Sequence, residues 1–169
     1  MSDTFAAVLM GSDSDLPTVQ GTIDVLDHFH IPCEIKITSA HRTPAATVAY
    51  VQDAEARGCA VFICAAGLAA HLAGTVAAQT IRPVIGIPME SGPLNGFDAL
   101  LSTVQMPGGI PVACMAIGRA GARNAGYLAA QIISLLDLEL AARVRVDREA
   151  SAAAVLAKDA DLRRGRSQL

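Results

Sequence analysis

Five short apolar runs punctuate the chain: FAAVLM at 5–10, CEIKI at 33–37, AVFICAA at 60–66, PVIGIP at 83–88 and PVACMAI at 111–117. Each has the length of a strand, and most are almost unbroken hydrophobic stretches, the pattern of strands covered on both faces. Segments of helical length lie between the first four, at 16–29, 44–57 and 69–80. Strand and helix in alternation predict right-handed βαβ units wound around a parallel sheet. The expected fold is therefore α/β, a three-layer α/β/α sandwich with a central parallel sheet. From 118 to 136 the chain is alanine-rich, and from 137 it turns charged, with alanines at helical spacing. This predicts a C-terminal helical tail of one or two helices over 137–169, behind a core of about 5–136.

Length and composition fit that picture. With 169 residues, 52% of them hydrophobic, the chain can bury one continuous core but not two ordinary ones, so 1–169 reads as a single domain. Aromatic residues make up only 4%, and small apolar residues exceed what one small domain needs to bury, which points to oligomer interfaces. A net charge of -3 with a pI near 5.7 provides no general attraction to nucleic acid or to an anionic membrane, so any anion site must be local. No stretch approaches about 18 uninterrupted apolar residues, and MSDTFAAVLMGSDSD lacks a basic segment followed by a long apolar one. Neither a membrane span nor a signal peptide is expected, and the expected compartment is the cytoplasm.

Cys33, Cys59, Cys64 and Cys114 form no CxxC pair, and the reading is buried free thiols. His28, His30, His41 and His71 show no HExxH spacing, so no zinc site is expected, and His28 and His30 fall at a helix end.

In an open parallel sheet, ligands bind beyond the carboxyl ends of the strands, where loops run into helix N-termini. Four loops qualify: GSDSD at 11–15, TSAHRTP at 38–44, AAGLAAH at 65–71 and PMESGPLNG at 88–96, all expected to open on one edge. GSDSD suits two roles. Ser14 or Asp15 can simply cap the following helix, or Ser12 and Ser14 can donate to a phosphate while the Asp15 carboxylate accepts from sugar hydroxyls. The loop is neither GxGxxG nor a Walker A sequence, which removes the main support for dinucleotide binding or nucleotide hydrolysis.

In SAHRTP, Thr43 is a good N-cap and Pro44 a good first helical residue, which holds His41 and Arg42 just ahead of a helix N-terminus. Arg42 with Ser39 can grip a phosphomonoester, and histidine is the side chain that titrates naturally near neutral pH. Read alone, the hexapeptide also fits a solvated loop. In AAGLAAHLAG, Gly67 lets backbone approach a ligand, and the helix that follows offers N–H groups to a carboxylate. His71 is expected inside that helix's first turn, as a neighbour of the site.

Taken in order, GSDSD, SAHRTP, AGLAAHLAG, PVIGIP, LLSTVQMPGGIPV and AGARNAGYLAAQI resemble the PurE family of purine biosynthesis, over about 7–136. Within it, SAHRTP and AAHL are similar to the bacterial branch that moves a carboxyl group within its substrate, rather than the animal-type branch that takes carbon dioxide directly. The resemblance implies a flavodoxin-like fold and transfer of a carboxyl from the exocyclic nitrogen of an aminoimidazole ribonucleotide to ring carbon C4. It implies no metal and no organic cofactor. By position, Ser12, Ser14, Ser39 and Arg42 would hold the phosphate, with Ala40 beside them, and Asp15 the ribose hydroxyls. The backbone of Ala66, Gly67, Leu68, Ala69, Ala70, His71 and Leu72 would hold the migrating carboxyl, and His41 would serve as acid and then as base. A homo-octamer is implied, with the loop at 105–109 near a neighbour's site.

Two positions depart from the family pattern: Leu68 stands where glycine is usual and Ala73 where proline is frequent. If that glycine needs a positive φ, a leucine there is expected to push the loop into a conformation open to L-residues. Three other readings compete. They are a carboxylase using carbon dioxide directly, a PurE-like domain carboxylating another nucleotide, and a non-catalytic flavodoxin-like binding or signalling module. For the last, a receiver-type phosphoacceptor aspartate would be needed where Ala65, Ala66 and Gly67 stand.

Overall fold

A computed structural model describes residues 4–166; the last residues of the expected tail, 167–169, and the first three of the chain lie outside it. Strands β1 (Phe5–Met10), β2 (Cys33–Ile37), β3 (Cys59–Ala66), β4 (Val84–Pro88) and β5 (Ala113–Cys114) form one parallel sheet in the order β2-β1-β3-β4-β5. The connecting helices are α1 (Leu16–His28), α2 (Pro44–Ala56), α3 (Leu72–Ala77), α4 (Phe97–Val104) and α5 (Arg119–Ile133), with α6 (Leu138–Arg166) at the C-terminus. This is the flavodoxin-like strand order, and its switch point falls between β1 and β3.

The sheet has a core on each face because successive strand residues point to opposite sides. Ala6, Val8 and Met10 of β1, with Val61, Ile63, Ile85 and Ile87, pack on α1, α5 and the first turns of α6. Ala7, Leu9, Phe62 and Cys64 pack on α2 and α3. Each fully buried Leu, Ile or Phe contributes about 1.5–3 kcal/mol of transfer free energy. The helices lie close because their contact faces are small: a Cβ on Gly126 would stand 2.7 Å from Val25. Thr22 completes that seam by donating its hydroxyl to the Ala122 carbonyl at 2.6 Å. At the end of α1, His30 takes φ 56, which lets Ile31 N–H reach the Leu26 carbonyl at 2.9 Å and stop the helix.

The structure corrects several expectations. The run at 111–117 pairs over only two residues, since Pro111 has no N–H to donate and the chain follows β4 afterwards by single bonds such as Met115 N–H to the Gly86 carbonyl, 2.9 Å. The helix expected at 69–80 is confined to α3, because 67–71 is spent on a loop and Pro83 leads into β4. The edge strand β2 is not covered on both faces: Ile35 and Ile37 are 50% and 56% exposed. Cys33 and Cys114, on the two edge strands, are half-buried rather than buried, while burial pushes the Cys59 thiol up to about 11 and Cys64 higher still. The tail over the described residues is one continuous helix, tied to α1 by His28 Nε2 against Asp147 Oδ1 at 3.1 Å.

Candidate active site

The loops after β1, β2, β3 and β4 surround a cleft of about 530 Å³ at the carboxyl edge of the sheet, across the β1/β3 switch point. Gly11 N–H bonds the Ala65 carbonyl at 3.1 Å, and Thr38 N–H bonds the Met10 carbonyl at 2.9 Å, so the first three loops leave the sheet from a common edge. A larger hollow of about 940 Å³ lies elsewhere, between Ile81, Pro83 and Ile110, where Glu55 and Arg82 face one another at 3.6 Å. It gathers no histidine, so the chemistry belongs to the smaller cleft.

In the first loop, one 3-10 turn (Asp13–Asp15) precedes α1. Neither Ser14 nor Asp15 caps α1 with its side chain; instead Ser12 Oγ accepts from Ser14 N–H at 3.2 Å and from Ser14 Oγ at 2.8 Å. The two hydroxyls thus stand together on the cleft. The Asp15 carboxyl is raised above its ordinary range, chiefly by burial, against an opposing backbone hydrogen bond at Ser12 and with a further push from the Asp13 charge.

The second loop is a self-contained hydrogen-bonded unit. Ser39 Oγ accepts from Arg42 N–H at 3.1 Å and from His41 N–H at 3.3 Å. Ser39 N–H in turn donates to Thr43 Oγ1 at 2.9 Å, so Thr43 holds the N-cap position of α2 without capping it through its side chain. Behind it, the hydroxyls of the buried Thr38 and Thr47 meet at 2.7 Å. Arg42 reaches across to the Gly11 carbonyl at 3.4 Å, which places its guanidinium beside the Ser12–Ser14 pair.

The third loop differs in kind. A Cβ on Gly67 would stand 2.2 Å from Ser91 Oγ, so the loop touches the fourth loop only because this residue has no side chain. Leu68 takes φ 54. The loop does not take up a conformation in which a leucine is unstrained: Leu68 sits in the left-handed region and carries its cost, roughly 1–2 kcal/mol for a residue with a Cβ. Ala66, Gly67, Leu68, Ala69 and Leu72 line the cleft, whereas Ala70 is buried at 1% exposure and does not. Ala73, the other departure, is buried in the second turn-forming position of α3.

His71 stands at the N-cap of α3 rather than within its first turn, and its Nδ1 lies 2.8 Å from His41 Nε2, with the rings edge to face. The two imidazoles follow β2 and β3, so the pair bridges over the end of β1. One ring donates and the other accepts through a single shared proton. Residue spacing offered no signal for this contact. Thr38 and Ser91 also line the cleft, and in the sequence only their places in the second and fourth loops mark them.

A cluster of serines with an arginine, a glycine-bearing loop and a histidine pair therefore converge on one cleft. The chain matches the AIR carboxylase family over residues 6–154. A Bacillus subtilis relative named N5-carboxyaminoimidazole ribonucleotide mutase is 52% identical over 149 residues, 88% of this chain and 92% of that protein. A Mycobacterium leprae protein of the same name is 50% identical over 162 residues, 96% of this chain and 94% of that one. Among solved structures, Treponema denticola PurE is similar with a TM-score of 0.86 at 32% identity, covering 94% of this chain and 98% of that one. Fold and sequence agree over almost the whole length, and the chain belongs to the AIR carboxylase family.

Proposed function

We propose that this chain is an N5-carboxyaminoimidazole ribonucleotide mutase of purine biosynthesis, as its relatives at about half identity over nearly the whole chain are named. The observation that carries the reading is the His41–His71 pair, 2.8 Å apart, in the cleft that also holds Arg42, the clustered serines and the Gly67 loop. Ser12, Ser14, Ser39 and Arg42 bind the phosphate, Asp15 accepts from the ribose hydroxyls, and the 66–72 segment receives the carboxyl. Protonated His41 gives a proton to the exocyclic nitrogen as the nitrogen–carboxyl bond breaks, releasing carbon dioxide and the free amine. Ring carbon C4 then forms a bond to that carbon dioxide, and His41 removes the C4 proton, which restores both the aromatic ring and the starting imidazolium. His71 holds the His41 ring for both transfers. Atoms balance as an isomerisation, so no cofactor is consumed.

The protein acts in the cytoplasm as a homo-oligomer, an octamer by family resemblance. Among the described residues no helix is long and apolar enough to cross a membrane. Support for assembly comes from apolar side chains left on the outside, including Ile81 at 95% exposure and Leu136 at 98%. A monomer by light scattering at micromolar concentration would overturn that part.

The second reading, a carboxylase that adds carbon dioxide directly, draws on the family's own description. The two separate in one assay: purified protein is offered the carbamate ribonucleotide and, separately, the uncarboxylated ribonucleotide with bicarbonate. Formation of the C4-carboxylated product from the carbamate without bicarbonate is expected. Turnover of the second pair alone would replace the mutase with the carboxylase.

A further inference from the structure

Leu68 combines three features that simple loop closure does not require. It has a left-handed backbone at φ 54, it is 52% exposed, and it is with Leu72 one of two large aliphatic side chains lining a cleft otherwise walled by small residues, hydroxyls, imidazoles and the Asp15 and Arg42 side chains. Its side chain does not wave in solvent. Cδ2 lies 2.5 Å from where a Cβ on Gly92 would stand, so the isobutyl group is seated on bare backbone of the fourth loop. Gly92 is itself left-handed, at φ 69. Directly beside this contact, Gly67 admits Ser91 in the same manner. The third and fourth loops are thus packed together at two successive points, Gly67 on Ser91 and Leu68 on Gly92, and the second depends on a strained residue.

An apolar wall binds neither phosphate nor carboxylate. It suits a neutral, weakly hydrated species held next to a backbone cradle, and released carbon dioxide is such a species. We propose that Leu68 is a positioning residue: seated on Gly92, it holds the fourth loop against the third and walls the carboxyl end of the cleft, so that carbon dioxide recombines at C4 before it exchanges with solvent. The retention half of this inference rests on the mutase reading; the loop-holding half does not.

The test is a single turnover with enzyme in excess, using substrate labelled with carbon-13 in the carboxyl and unlabelled bicarbonate in the buffer, read by product mass. Amide hydrogen exchange over 89–96 is measured on the same proteins. Leu68→Ala keeps the backbone demand but lacks the isobutyl group, and Leu68→Gly removes both. Wild type is expected to retain the label. Both variants are expected to lose about fivefold more of it to solvent, with faster exchange over 89–96 in Leu68→Ala. Ribose 5-phosphate binding, which reports the phosphate end, is expected to stay within about twofold. Label retention equal to wild type in both variants, or unchanged hydrogen exchange, overturns the proposal. If wild type makes no product from the labelled carbamate, the mutase reading falls instead, and the exchange measurement still decides whether Leu68 holds the fourth loop.

Discussion

The loops at 38–43 and 67–71 face each other across the cleft and are held by opposite means. The first presents side chains, so its own hydroxyls take up its backbone: Ser39 and Thr43 exchange hydrogen bonds in both directions, and Ser39 Oγ gathers two successive N–H groups. The second presents backbone, and it is held by missing atoms. Gly67 fits against Ser91, and Met89 N–H reaches the Ala66 carbonyl at 2.9 Å. A loop that aims imidazole and guanidinium needs polar scaffolding, whereas one that cradles a carboxyl needs close approach and few side chains. The His41–His71 hydrogen bond joins the two designs.

The largest break in that comparison removes the chemistry from the first loop. His41→Asn is expected to lower turnover by at least about a hundredfold while ribonucleotide binding stays within about tenfold, because proton transfer is lost and the anion pocket remains. Single-turnover product formation beside calorimetric binding checks this, and more than roughly a tenth of wild-type activity would sink the single-histidine mechanism.

Next comes the proposed anion pocket. Arg42→Ala is expected to weaken ribonucleotide binding by about 2–3 kcal/mol, since a charge-assisted phosphate contact goes. An unchanged dissociation constant would put the phosphate elsewhere.

The third loop should fail for a steric reason instead. Gly67→Ala is expected to cost about 1–2 kcal/mol in kcat/KM, the added methyl pushing Ser91 and the fourth loop away. Ser91→Ala in the same chain should recover part of that loss. Recovery identifies the clash; no recovery would mean that the loop's conformation, and not its contact with Ser91, sets the geometry.

The smallest effect separates binding from stability at the edge of the first loop. Burial raises the Asp15 carboxyl, so its ionised form is disfavoured in the folded protein. The stability it allows is present below the ordinary aspartate range and is lost as pH rises through the raised value. Asp15→Asn is therefore expected to melt higher at pH 7, by on the order of one degree because much of the side chain still meets solvent, with the difference vanishing in acid. At the same time ribonucleotide binding should weaken. A variant that melts lower at pH 7 would contradict the burial argument.

How far the sequence carried the structure can be followed element by element. Apolar runs located β1 and β2 to the residue, β3 and β4 within one, and Pro44 located the start of α2. Strand length, strand count and the βαβ alternation follow from local pattern, because a strand buried on both faces must be apolar throughout. Pattern failed at the edges, where β5 shortened and β2 lay half-exposed, since coverage there depends on what packs alongside.

For the site, the sequence by itself determined which residue types stand in which loop: the serines of 11–15, His41 and Arg42 before a helix, and Gly67 after β3. Only the tertiary structure decided that His41 meets His71 over the end of β1, that Ser91 enters the space Gly67 leaves, and that Leu68 bears a left-handed backbone to reach Gly92. The physical reason is range. Strand and helix patterns are set by neighbours a few residues apart, while these contacts join residues 24 to 30 positions apart, brought together by the order of strands in the sheet.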